Sequence, residues 1–178
     1  MKDFFLNARI LVIFSLIHLF ALPCFSNISN QITVEQMSSS KSQTLALEKQ
    51  SGKSIVIFWA SWCYFCQKLI TFINEEVPKD HLENFEIISI SIDKDKEKMK
   101  AFAKAHFTKP HFTKPKHFWF NANANPHFKP GTIPFVLIYD KDGQLDTAMN
   151  GTSLEVKKMI KRRLNFIKNS TLRDEDLL

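Results

Sequence analysis

Cysteine is scarce in this chain, and the scarcity narrows the chemistry. There are three, Cys24, Cys63 and Cys66, in 178 residues. A four-cysteine zinc site needs a second Cys pair, which is missing. A scaffold stapled by several disulfides is excluded for the same reason. The N-terminal apolar run, "ILVIFSLIHLFAL" (10–22), has 13 residues, short of the roughly 20 that a membrane span needs. A block of one charge is also missing. The net charge is +6, yet acids interleave the lysines in "DKDKEKMK" (93–100) and "RDED" (173–176). Nucleic-acid binders concentrate their basic residues, so no nucleic-acid partner is expected. A spread basic surface still favours an acidic partner. What is present is a hydrophobic fraction of 44% with 17 Phe against 4 Gly, enough for the core of one domain plus an extra segment.

The N-terminus sets the compartment. Lys2 and Arg9 precede the apolar run, and "CFS" ending at Ser26 places small residues at −3 and −1. This is the layout of a secretory signal peptide covering 1–26, which makes the protein periplasmic or otherwise extracytoplasmic. An uncleaved N-terminal anchor is the alternative. Lipidation at Cys24 fits poorly because Pro23 precedes it. Removing Cys24 would leave one dithiol.

Residues 27–43 are polar and Ser-rich and read as a tether, with a short edge strand at 32–35. "TLALEKQ" (44–50) reads as a short helix. "SIVIFWA" (54–60) is apolar throughout and reads as a buried central strand. "QKLITFINEEV" (67–77) has amphipathic helical spacing and stops at Pro78. "FEIISISID" (85–93) is a strand. "KEKMKAFAKAHF" (96–107) is a helix with Met99, Phe102, Ala103 and His106 on one face. "PFVLIYD" (134–140) is a strand, and "KDGQ" turns it into another near 144–149. A closing helix spans 153–167, and the tail from Lys168 is loose. The fold class is α/β, a mixed sheet flanked by helices on both faces.

Cys63 and Cys66 lie where the buried strand turns into a helix. Residues three apart share a helix face, so the sulfurs can meet. The helix N-terminus stabilises an anion at Cys63, and the thiolate is the reactive form. Cys66 can then resolve a mixed disulfide. Two other uses compete with exchange. Zinc would need ligands such as His106 and His111, at a gap far longer than finger spacings. A permanent disulfide across two residues would close a very small loop and stabilise little.

"VIFWASWCYFC" resembles the active-site segment of the thioredoxin superfamily, and more narrowly that of TlpA-like periplasmic thioredoxins. "IISISIDKDKEKMKAFAKAH" and "GTIPFVLIYDKDGQ" extend the similarity over about 44–167. The resemblance implies a thioredoxin-like domain at 44–168. It implies an enzyme, a thiol–disulfide oxidoreductase acting on protein disulfides, without cofactor or metal and recharged by a membrane or envelope electron donor. It makes Cys63 the attacking thiol, Cys66 the resolving one and Pro134 a cis-proline after Ile133. Trp62, Tyr64, Phe65, Ile133 and Pro134 would contact substrate, while Trp59 packs. The chain departs from the pattern twice. Phe65 replaces the proline often found before the second cysteine. Ile57 stands where thioredoxins carry a buried acid. The uncharged Tyr64-Phe65 pair has no histidine to stabilise a thiolate, which favours reductase over oxidase.

Histidine clusters between the third helix and the cis-proline. "HFTKPHFTKP" (106–115) is a tandem repeat, and four of the six histidines precede Phe. The segment 106–130 reads as a His/Phe-rich insertion in a tolerant loop. No i, i+4 ligand pair occurs in it. A second class of function is therefore a thioredoxin-fold binding module that holds a protein partner or a metal through this insertion.

The signal-peptide reading has a direct check. Intact mass or N-terminal sequencing of the native protein is expected to give Asn27 or a near neighbour as first residue. A chain starting at Met1 would favour the anchor.

Overall fold

The structure, a computed structural model, describes residues 31–82, 84–107, 116–151 and 153–164. The signal segment, the C-terminal tail and most of the tandem repeat lie outside the described residues.

The chain runs β1 (Gln31–Gln36), β2 (Ser42–Ala46), β3 (Ser54–Trp59), α1 (Tyr64–Glu75), α2 (Lys79–Leu82), β4 (Glu86–Ser91) and α3 (Lys96–His106). It continues through β5 (Lys116–Phe120), a 3-10 turn (Ala122–Ala124), β6 (Phe135–Tyr139), β7 (Leu145–Asn150) and α4 (Ser153–Arg163). One sheet orders these strands β2-β1-β5-β4-β3-β6-β7. The central β3, β4 and β5 are parallel, and the outer strands are antiparallel. The α/β class and the mixed sheet expected from the sequence are both present.

β3 is central because all six of its side chains are apolar or small and all are buried. A strand with no polar face must be covered on both sides. Ile55, Ile57 and Trp59 face a core completed by Leu69, Ile70, Phe72, Met99, Ala103, Val156 and Ile160 from the helices. Val56 and Phe58 face a second core of Phe118, Phe120, Phe128, Leu137, Tyr139 and Leu47. The buried residues of α1, α3 and α4 thus all belong to the first core. In the second core Leu47 and Phe128, from outside the strands, pack against the sheet's own Phe58, Phe118, Phe120 and Tyr139.

Three sequence expectations change. Residues 31–36 and 42–46 form a hairpin, not a tether with an edge strand, and β1 sits inside the sheet between β2 and β5. "TLALEKQ" is not helical; its first half is β2 and only Leu47 of the remainder is buried. Cross-strand pairing with β1 overrides the local helix preference. The His/Phe-rich segment is not wholly a loop either. Its "KHFWF" is β5, parallel to β4, with Phe118 and Phe120 in the core.

Two turns lock the register. Gly143 has φ 73°, and a Cβ there would run into the Gln50 carbonyl, so the Asp-Gly hairpin needs glycine. β5 ends at Phe120, opposite Val34. Beyond it Asn125 substitutes for a strand. Its Oδ1 accepts the Thr33 N–H at 2.7 Å, and its Nδ2 donates to the Thr33 carbonyl at 2.7 Å. Asn125→Ala leaves both backbone groups unpaired. It is expected to lower the unfolding free energy by about 1–3 kcal/mol, read from denaturant midpoints at unchanged slope.

Candidate functional site

Cys63 is the N-cap of α1, in extended conformation at φ −84° and ψ 104°. Its N–H donates to the Ala60 carbonyl at 3.1 Å, which closes the turn out of β3. The Cys66 N–H donates to Cys63 Sγ at 3.1 Å, and the first helical turn carries no acid. A sulfur thus occupies the place of a capping oxygen, where unpaired N–H groups and the helix dipole favour negative charge. Cys63 and Cys66 form a disulfide with Cα atoms 5.2 Å apart. Cys63 retains 7% exposure and Cys66 none.

The chain before β6 completes the site. Ile133-Pro134 is a cis peptide bond, and the Ile133 carbonyl oxygen lies 3.8 Å from Cys63 Sγ. Ile133 is half-buried and Pro134 buried. Trp62, Tyr64 and Phe65 stand out into solvent at 69%, 61% and 47% exposure. Tyr64 and Phe65 pack edge to face, with ring centroids 5.6 Å apart. Lys68 Nζ lies 5.5 Å from the Tyr64 ring. The residues singled out from the sequence therefore surround the disulfide. Trp59 is fully buried and donates its indole N–H to Ser89 Oγ at 3.0 Å. Ile57 is buried in the same core as Cys66, so the position of the thioredoxin acid is filled by hydrocarbon.

Sequence reasoning missed a polar latch behind the turn. Asp93, 3% exposed, accepts the Ser61 N–H at Oδ2 (2.8 Å) and the Ser61 O–H at Oδ1 (2.7 Å). Ser91 O–H also donates to Asp93 Oδ2 at 2.7 Å. Gln67 Nε2 donates to the Ser61 carbonyl at 2.8 Å. The available signal was an acid following a strand that alternates isoleucine and serine, "IISISID", and a serine set among tryptophans in "WASW".

Profile comparison matches the thioredoxin-like family over residues 53–145, more than half the chain. The chain belongs to the thioredoxin-like family. Thiol-disulfide oxidoreductase ResA of Geobacillus kaustophilus is 26% identical over 124 residues, 68% of this chain and 67% of that protein. ResA of Bacillus cereus is 26% identical over 102 residues, 57% of each. The chain thus spans between 57% and 67% of the length of these two relatives. Solved structures agree on the fold. A thioredoxin-like protein from Porphyromonas gingivalis superposes with TM-score 0.56 at 18% identity, covering 80% of this chain and 93% of that one. A secreted Mycobacterium tuberculosis disulfide oxidoreductase, homologous to E. coli DsbE, superposes with TM-score 0.53 at 14% identity, covering 74% and 95%. The superfamily resemblance read from "VIFWASWCYFC" holds, and the enzyme class inferred from it is the one these relatives are named for.

The described histidines go to separate places. His106 stacks on Phe102 with ring centroids 4.2 Å apart, and His127 is exposed. His117 sits on the helix side of β5, with Nδ1 2.9 Å from Ser89 Oγ and its ring edge-on to Phe107. His111 lies outside the described residues. Ser89 Oγ already accepts the Trp59 N–H, so its own proton is available to His117 Nδ1, an arrangement that suits a neutral ring.

Burial pushes the His117 pKa down from 6.5 to about 4. The unfolded chain then takes up this proton before the folded one. The contribution of His117 to stability is complete above pH 6.5 and is lost as pH falls towards about 4. The difference in unfolding free energy between wild type and His117→Gln is expected to shrink across that window. A difference that stays flat through it would show that His117 is not held neutral.

Proposed function

We propose that this chain is an extracytoplasmic thiol–disulfide oxidoreductase that reduces disulfides in protein substrates. The observation that carries the reading is the Cys63–Cys66 pair at the start of α1, with Cys63 against the cis Ile133-Pro134 bond.

The reduced enzyme acts in two displacements. The Cys63 thiolate attacks one sulfur of the substrate disulfide; that S–S bond breaks, and the other substrate sulfur leaves as a thiolate and takes a proton. Cys66 then gives up its proton and attacks Cys63 Sγ. The mixed disulfide breaks, the second substrate thiol is released, and the Cys63–Cys66 disulfide forms. Two electrons have passed to the substrate. A dithiol donor of the membrane or envelope returns them by the same exchange. Trp62, Tyr64 and Phe65 offer apolar contact beside the sulfur, and the Ile133 backbone offers hydrogen bonds to an extended substrate segment. The absence of a charged or histidine side chain between the cysteines supports the reducing direction. With Ile57 in place of an acid, the proton of Cys66 must leave through water or the departing thiolate. The missing acid therefore bears on resolution more than on attack. The signal-peptide layout of the N-terminal sequence, and the relatives' class, support the extracytoplasmic site.

Insulin reduction by the full chain with a small dithiol is the test. Activity is expected for wild type and none above background for Cys63→Ser. Cys66→Ala should accumulate mixed disulfides through Cys63, and alkylation of the reduced protein at neutral pH should label Cys63 first. Labelling of Cys66 first would reverse the assigned roles.

A further inference from the structure

We infer that Asp93 is a positioning residue for Cys63: it acts through Ser61 to hold the turn that places the Cys63 sulfur over the N-terminus of α1. The inference rests on Cys63 being the attacking sulfur.

The geometry begins in the sheet. β3 and β4 are parallel, with Trp59 paired to Ser91, and the ladder runs one step further as the Ile92 N–H donates to the Trp59 carbonyl at 2.8 Å. The two chains therefore leave the sheet at the same level. One continues through Ala60 and Ser61 to Cys63, the other to Asp93. Asp93 clamps the first chain by two bonds to one residue, the N–H and the O–H of Ser61. Two bonds from one carboxyl fix both the position and the orientation of Ser61. Ser61 then has little freedom, and its carbonyl is held by Gln67 from α1 itself. Only Trp62 separates this clamped residue from Cys63.

Asp93 is in turn fixed from behind. Its own N–H donates to Ser91 Oγ at 3.1 Å, and its carbonyl accepts the Trp119 indole N–H at 2.6 Å. Lys96 Nζ lies 4.2 Å from the Trp119 ring centroid and 2.7 Å from both carboxylate oxygens of Glu35. The clamp is thus tied to β1 and β5 as well as β4. The buried carboxyl itself accepts from Ser61 and from the Ser91 O–H and is expensive to leave unpaired, which makes the turn stiff.

Stiffness matters because the stabilisation of a thiolate at a helix N-terminus is directional. The Cys66 N–H reaches Cys63 Sγ at 3.1 Å. A turn free to swing would lose that bond for part of the time, and the dipole effect falls off within the first turn. The fraction of Cys63 present as thiolate at neutral pH would drop, whereas the reactivity of the fully ionised thiolate would not.

The test reads that fraction. Iodoacetamide alkylation of Cys63 in the reduced full-length protein is followed across pH, with mass spectrometry to place the label. The quantity is the rate at neutral pH divided by the rate at the alkaline plateau. In Asp93→Asn the amide oxygen still accepts the Ser61 N–H and the amide nitrogen can donate to Ser61 Oγ, so the ratio should stay within about twofold of wild type. In Asp93→Ala both bonds are gone and the ratio should fall about three- to tenfold. Ser61→Ala removes one bond and keeps the charge; its ratio should fall by less. If Asp93→Asn and Asp93→Ala shift together with a rising ratio, the carboxylate acts by its charge and the positioning role is wrong. If Ser61→Ala and Asp93→Ala lower the melting temperature but leave the ratio unchanged, the latch is only structural and the inference also fails. Should Asp93→Ala not fold, an unchanged ratio in Ser61→Ala overturns it. Failure of insulin reduction by wild type would instead strike the proposed function and leave this ratio measurable.

Discussion

The pairing of β3 with its two neighbours is the constraint on which the rest of the site depends. β3 lies parallel to β4 and antiparallel to β6. The parallel register brings the C-terminal ends of β3 and β4 level, so that Ser61 meets Asp93. The antiparallel register sets Phe58 opposite Phe135. The segment entering β6, Ile133-Pro134, must then lie beside the segment leaving β3. Cys63 Sγ comes within 3.8 Å of the Ile133 carbonyl by this arithmetic of strand ends. A one-residue slip in either ladder would turn every side chain of one strand to the other face. That slip is opposed by burial on both faces of β3. The core thus fixes the geometry of a site to which most of its residues contribute no atom.

The cysteine end of the site tolerates two opposed demands. A reactive sulfur needs access, and a strand-to-helix turn next to the core needs cover. The chain separates them by position along α1. Cys66, Leu69, Ile70, Phe72 and Ile73 are buried, whereas Tyr64 and Phe65 face solvent. Three large aromatic side chains, Trp62 included, therefore sit exposed around a sulfur that is itself 7% exposed. Exposed apolar surface of this kind suits the substrate contact proposed for it. It costs the folded state nothing in packing, because the inward face of the same helix is complete.

Much of this was legible in the sequence where one signal dominated. "SIVIFWA" is apolar at every position after Ser54, and a buried central strand accommodates that over so short a length. "WCYFC" followed by an amphipathic run placed the sulfurs at a helix start, and "GTIPF" before an apolar strand located the proline. Legibility failed where structure depends on distant pairing. "TLALEKQ" has good helix formers, but its first half pairs with β1. "KHFWF" was masked by the repetition of His-Phe around it, which drew attention to imidazole chemistry. In β5 the alternation is structural: Phe118 and Phe120 enter one core while His117 and Trp119 turn to the other side of the sheet.

The same lesson explains why Asp93 was overlooked. In "ISISID" the alternation of serine with isoleucine has the period of a strand with one face in water. Yet Ser89 and Ser91 are 0% exposed and Asp93 3%. Polar groups buried in this way must find partners within the protein, since each unpaired one is costly. Each does. Ser89 meets Trp59 and His117, Ser91 meets Asp93, and Asp93 meets Ser61. Apart from the Ser91–Asp93 bond, the partners come from β3, β5 and the turn into α1, all remote in sequence, so the spacing within "ISISID" does not announce them. Because hydrogen bonds have direction and hydrophobic contacts do not, this polar row, on β4 and just past its end, can hold the turn at one orientation. An apolar strand of equal burial would fill the same space and leave that orientation free.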